Sequence, residues 1–286
     1  MKRTSRLLAM ESPFPEAHSM LRLLEPPNSC PNTLWERLFK GTYDKPFIVD
    51  TGQRRNLQFD LDTVQSVMEM ARPNRLSLAY TRKMMAFLLF QRAPKRILLL
   101  GLGGGSLAKF CYGRLPGTAL TAIEVNADVI ALREEFCIPA DDDRFRVIRA
   151  DGPAYISDLG PCMDVTLADA CDRTGVAPQL DTVEFYENAR RSLAPGGVFV
   201  INLCGSASTC AAHLQKLRNA FDDEFLTLRV KADGNVIAFA FRDQRPEVSW
   251  EQMEAEGAGL TRRFGLDFPG FVRRMAQDFS QADDRG

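Results

Sequence analysis

The stretch RILLLGLGGGSLAKFCYGRLPGTALTAIE, Arg96–Glu124, decides the fold. An apolar run, Ile97 to Leu100, breaks into Gly101-Leu102-Gly103-Gly104-Gly105, and a helix-compatible segment follows. A second apolar run, Leu120 to Ile123, ends in Glu124. Strand, glycine turn, helix, strand, carboxylate is the opening of a nucleotide-binding α/β unit. The glycines let the backbone turn sharply and approach a ligand where a Cβ would collide. Glu124 falls about 20 residues past the turn, the offset at which a carboxylate accepts hydrogen bonds from ribose hydroxyls. The turn has neither GxGxxG nor a Lys-Ser/Thr pair; Ser106-Leu107-Ala108 follow Gly105 instead. A nucleoside without phosphates fits better, which makes a nicotinamide dehydrogenase the weakest reading, while the turn itself leaves dinucleotide and S-adenosylmethionine unseparated.

Outward from this stretch, 286 residues with 45% apolar content allow one large domain plus an appendage. A net charge of −1 gives no reason to expect nucleic acid or an anionic membrane. The seven cysteines are scattered without CxxC spacing, which predicts free thiols in a reducing compartment and no zinc site. His18 and His213 flank no acidic or thiol cluster in sequence, so no histidine metal site or Ser/Cys-His nucleophile is expected. With no persuasive signal peptide and no apolar stretch long enough to span a bilayer, the chain reads as cytoplasmic.

Residues 1–44, broken by Pro13, Pro15, Pro26, Pro27 and Pro31, read as a partly ordered lead-in with a short helix near Thr33–Phe39. Residues 45–73 read as a small antiparallel β unit, with alternation at Val64, Ser66 and Met68. Residues 74–245 read as a Rossmann-like catalytic domain, opening with a buried helix over Leu78–Phe90. Helices over Asn126–Phe136 and Thr182–Leu193, and strands at Phe145–Arg149, Asp164–Ala168 and Val198–Leu203, continue the alternation. Asp233-Gly234 between apolar runs marks a terminal hairpin, and 246–286 a charged helical tail. The fold class is α/β, a parallel sheet with an antiparallel end.

In open α/β sheets ligands sit beyond the carboxyl ends of the strands. Glu124, Asp151, Asp169 and Asp172 all fall at such ends. Turn chemistry alone favours Asp there, but the set together with the glycine turn suits a cationic reactant. Carboxylates can hold a sulfonium, attract an amine, and accept the proton an attacking nitrogen gives up.

Gln65, the glycine turn, Glu124, Asp151-Gly152, Asp169-x-x-Asp172 and FYENARRSLAPGGVFVIN, in that order, resemble the spermidine synthase (polyamine aminopropyltransferase) family from about Phe47 to Arg242. The resemblance implies a class I S-adenosylmethionine-type Rossmann domain behind a small N-terminal β domain, a homodimer or homotetramer, and a role in polyamine biosynthesis. It implies that Gly101, Gly103, Gly104 and Gln65 line the nucleoside co-substrate, that Glu124 holds the ribose hydroxyls, and that Asp151 with Gly152 meets the adenine amino group. Asp169 would be the base, Asp172 the anchor of the acceptor amine, and Tyr80 a wall of the amine pocket. The co-substrate would be decarboxylated S-adenosylmethionine or the intact form, the acceptor a small amine, with no metal.

Departures from the family pattern bear on the acceptor. The family turn reads GGGDGG, its Asp gripping the aminopropyl amine, where this chain has Gly104. Arg75-Leu76-Ser77 and Tyr80-Thr81-Arg82 replace acidic DE and YxE elements, Asp172-Arg173 stands for DP, and Lys231-Ala232-Asp233-Gly234 for PTYPSG. GLGGGSL also resembles neighbouring methyltransferases. The leading expectation is therefore an aminopropyl transferase using Asp169, with an N-methyltransferase as the alternative and a non-catalytic nucleoside-binding protein as the third reading.

Overall fold

A computed structural model of the chain describes residues 7–12, 19–171, 176–231, 234–247 and 249–283. His18, Asp172, Arg173 and Asp233 lie outside the described residues. The chain forms two compact units, one of 1–78, 102–110 and 126–139, the other of 79–101, 111–125 and 140–286.

In the first unit, β1 (Leu8–Glu11), β2 (Met20–Leu23), β3 (Phe47–Asp50), β4 (Arg54–Gln58) and β5 (Val64–Glu69) form an antiparallel sheet in sequential order. The lead-in is thus more structured than its prolines suggest: it supplies two strands as well as α1 (Pro31–Phe39). Strands of four residues are too short to leave a period in the sequence; pairing with β3, Leu21 opposite Val49, is what holds β2. Leu21, Leu23, Leu34, Leu38, Phe47 and Val49 share one buried cluster. Asp50 is ion-paired to Arg22 and Arg55 and accepts from the Gly52 amide at 2.8 Å; burial pushes its carboxyl pKa up, and the amide with the two guanidinium groups draws it below the ordinary value.

The second unit is built on a seven-stranded sheet. Its strands are β6 (Arg96–Leu100), β7 (Ala119–Glu124), β8 (Phe145–Arg149), β9 (Met163–Ala168), β10 (Leu193–Leu203), β11 (Phe225–Arg229) and β12 (Val236–Phe241), in the order β11-β12-β10-β9-β6-β7-β8. β8 through β10 run parallel and β11–β12 antiparallel, the mixed sheet expected. The chain steps outward from β6 to β8, then returns to β9 on the other side of β6, so the topological switch point lies between β6 and β9. Ile97–Leu100 of β6 are buried in succession, because strands covered on both faces need no alternation.

Several elements differ from the sequence reading. The expected helix over Leu78–Phe90 is α2 (Ala79–Met84) running into a 3₁₀ turn, Met85–Leu89, all five of whose residues are buried. After α3 (Ser106–Arg114), α4 is confined to Ala127–Ala131, capped by Asn126, and the chain then winds irregularly through Cys137, whose φ is +53°. β10 starts at Leu193, five residues earlier than the apolar run, and shifts register before Val198. His213, on α7 (Ala207–Ala220), does have an acidic neighbour: buried, its Nδ1 lies 2.8 Å from the Tyr186 hydroxyl and 3.3 Å from Asp181. Burial lowers its pKa, which suits a neutral core histidine holding α7 to α6 (Val183–Ser192). The thiols are not all free either, since Cys171 and Cys204 are joined.

Candidate active site

β6, β7, β8, β9 and β10 end along one edge of the second unit's sheet, and each delivers one residue to it. In spatial order these are Asn202, Asp169, Gly101, Glu124 and Asp151. Asp169 and Glu124 stand on either side of β6, two inter-strand spacings or about 10 Å apart at the backbone, a nucleoside's span.

Gly101 makes this possible. Its φ is +95°, its amide donates to Ile123 O at 2.9 Å, and Asp169 N donates to Leu100 O at 2.9 Å. A Cβ on Gly101 would stand 2.3 Å from the Asp169 carbonyl oxygen, so only glycine lets the chain after β9 pass so close to the turn. Asp169 Oδ1 accepts from Asn202 Nδ2 at 3.0 Å, and the Tyr80 hydroxyl donates to the same carboxylate. Asn202 Oδ1 in turn accepts from Asn235 Nδ2 at 3.0 Å. Burial raises the Asp169 pKa above the ordinary carboxylate value, with the bonds from Asn202 and Tyr80 opposing the rise. A carboxylate so held is a candidate general base.

The structure brings Tyr80 and Asp169 together. Asn202 was not singled out as a site residue although the run FYENARRSLAPGGVFVIN ends on it; a lone polar residue between the apolar Val198–Ile201 and Leu203 of a buried strand was the signal. Glu124 ends β7, its carbonyl accepting from Ala150 N at 3.3 Å. Asp151 is the N-cap of α5 (Gly152–Ser157): its Oδ1 accepts from Ala154 N at 2.9 Å. One of its oxygens thus has a structural task, as turn chemistry would have it.

Gln65, Gly103 and Gly104 belong to the first unit. β5 buries Ser66 and Met68 on one face and leaves Gln65 half-buried on the other. Gly103 has φ +50° and open space around it. Gly104 is closed: a Cβ there would lie 2.6 Å from Ser66 Oγ, 2.9 Å from Ser66 Cβ and 3.1 Å from Phe136. Ser66 and Ser106 hydroxyls are 3.3 Å apart. Lys109, one turn on, is buried and donates to Phe136 O at 2.7 Å; desolvation lowers its pKa to about 8. Among the described residues no group of three or more His, Cys, Asp or Glu is placed to hold a metal ion.

A doubly wound sheet with its glycine turn after the first parallel strand, and acids at the ends of the next three, defines a class I methyltransferase-type transferase fold. The model of the spermine/spermidine synthase domain matches residues 77–232, and the chain belongs to that family. It is a transferase of spermidine synthase type. A polyamine aminopropyltransferase of Chromobacterium violaceum is 36% identical over 235 residues, 82% of this chain and 90% of that protein. Among solved structures, human methyltransferase-like protein 13 in complex with SAH aligns with TM-score 0.58 at 25% identity, over 65% of this chain and 92% of that one. A probable spermidine synthase from Corynebacterium glutamicum aligns with TM-score 0.62 at 20% identity, over 76% and 83%.

Proposed function

We propose that the protein transfers the aminopropyl group of decarboxylated S-adenosylmethionine to a small amine, in polyamine biosynthesis. The observation that carries this reading is the Asp169 carboxylate, raised in pKa and fixed by Asn202 and Tyr80 beside the switch point. The amine nitrogen attacks the carbon bonded to the sulfonium, the carbon–sulfur bond breaks, and methylthioadenosine leaves with the electron pair. Asp169 takes the proton from the nitrogen, while Glu124 and Asp151 hold the nucleoside two and three strands away. Most of the rate would come from orientation of the two reactants, with proton acceptance adding to it. Gln65, Gly101, Gly103, Gly104 and Gly152 would shape the nucleoside pocket, and Asp172 would anchor the acceptor. From the resemblance to the family we further propose a cytoplasmic homodimer or homotetramer; among the described residues no helix is long and apolar enough to cross a membrane.

A second reading has a specific observation behind it. The space at Gly104 is filled by Ser66, so the carboxylate that meets the donor's amine in the family pattern has no room to stand. A neutral end suits a donor that keeps its own carboxylate, and intact S-adenosylmethionine would then serve for methyl transfer. Offering each donor with putrescine, spermidine or cell extract separates the two. Amine-dependent methylthioadenosine from the decarboxylated donor supports the first reading, and S-adenosylhomocysteine from the intact donor replaces it with the second.

A further inference from the structure

Cys171 and Cys204 are joined by a disulfide, their Cα atoms 6.6 Å apart. Where the bond falls is informative. β9 and β10 are parallel neighbours with Ala168 opposite Ile201. Carried one and three residues further, that register sets Asp169 opposite Asn202 and Cys171 opposite Cys204. The first of those pairs is hydrogen-bonded and the second covalent. The disulfide therefore continues the ladder that holds the base and the asparagine beside it.

Cys171 has a second tie. It bridges Val176 in antiparallel fashion, and Ala177 N donates to Ala170 O at 2.9 Å, so 170–171 is paired with 176–177. Asp172 follows Cys171 directly. The Cys171 sulfur lies 3.7 Å from Asn202 Nδ2, the donor that holds Asp169. One bond thus bears on what a base needs fixed: the backbone beside Asp169 and the asparagine that orients it. Every other cysteine of the chain is a free thiol.

We propose that Cys171–Cys204 is a reversible thiol–disulfide switch on the acceptor side of the site, closed for turnover and opened by a thiol reductant. The assignment of this edge to the acceptor rests on the function proposed above; the effect of the bond on the Asp169–Asn202 pair does not. In opening, a reductant thiolate attacks one sulfur and the other cysteine leaves as thiolate. A second reductant thiol resolves the mixed disulfide, so two electrons pass to the protein and the reductant departs as its own disulfide. A small-molecule disulfide such as oxidised glutathione closes the bond by the reverse steps. In a reducing compartment, bonds that do form are mostly transient or redox-sensing, which fits a bond at a site's edge better than one that staples a core.

The test equilibrates the full chain with oxidised or reduced glutathione and scores the bond by thiol alkylation and mass spectrometry. Bonded protein should show an acceptor KM about tenfold lower, within the usual range of coupling between sites, with donor affinity unchanged. Amide exchange at 169–171 and 202–204 should quicken on reduction. Cys204→Ala should behave as the open form in either buffer, Cys171→Ser should repeat it, and Cys162→Ala should keep the switch. No bond under oxidised glutathione, an acceptor KM that is equal or higher with the bond formed, or exchange indifferent to the bond would each overturn the proposal. Redox-dependent exchange in a protein that transfers no aminopropyl group would instead remove the proposed function and leave the switch standing.

Discussion

Asp169 combines a desolvated carboxylate with two donors aimed at it, and both its chemistry and its effect on stability follow from that balance. Its pKa is higher folded than unfolded, so the folded chain holds the proton more tightly in the interval between the two values. Stability is therefore lost, not gained, as pH rises through that interval. Asp169→Asn should lower turnover at least about 100-fold while leaving the melting temperature at neutral pH unchanged or higher; retained turnover would take Asp169 out of the mechanism. In the wild type, the acid limb of kcat/KM should stand above the ordinary Asp value of about 3.9, and a limb at that value would contradict the assignment. Gly104→Asp tests the glycine turn from the other direction. Its Cβ would meet Ser66 at 2.6 and 2.9 Å, so the substitution should destabilise by about 1–3 kcal/mol, with partial recovery when Ser66→Gly is added. Equal melting curves for Gly104→Asp and wild type would show the space to be open. The glycines could be read from sequence because any strand-to-helix turn of this kind needs them. Their particular neighbours could not, since Asp169 and Ser66 come from strands 68 and 38 residues away along the chain.

At the scale of elements, α5 rests on a residue whose structural task can be measured apart from its proposed one. Asp151 caps this short helix through Oδ1, and Ser is a comparable cap where Ala is none. Asp151→Ala should cost about 1 kcal/mol of stability and Asp151→Ser only a few tenths by the same comparison. If the carboxylate also meets the nucleoside, both variants should bind the donor about tenfold more weakly, since a charged hydrogen bond of that worth is lost. Wild-type donor affinity in Asp151→Ser, measured by calorimetry, would leave Asp151 as a cap alone. The parallel strands were legible as buried apolar runs punctuated by Gly and Asp. β1 and β2 were not, because four residues among prolines carry no readable period and their stability comes from pairing with β3. The disulfide was equally hidden: Cys171 and Cys204 become neighbours only through the β9–β10 register, and register is a property of the sheet.

At the scale of the whole molecule, the second unit secures its active edge from a distance through its last two helices. α8 (Trp250–Phe264) and α9 (Phe268–Asp283) form a pair that packs on the 3₁₀ turn Met85–Leu89, and α9 lies along edge strand β11. Buried Asp278 accepts from the Arg229 amide at 2.8 Å, covering a donor that an open edge would leave for another strand. Glu256 is paired with Arg92, just past that turn. The turn continues directly from α2, and α2 carries Tyr80 to Asp169. The helical pair therefore backs the turn that continues from the helix carrying Tyr80. Phe268 is fully buried between Phe264 and Phe271. Phe268→Ala should cost about 3–5 kcal/mol, read as a fall of roughly 10 °C in melting temperature for a chain of this size. Well below that transition the acceptor KM should rise while donor affinity holds, because Tyr80 loses its backing and Glu124 and Asp151 keep theirs. Donor affinity falling in step with the acceptor's would mean that the helices hold the sheet as a whole, and that Tyr80 draws nothing particular from them.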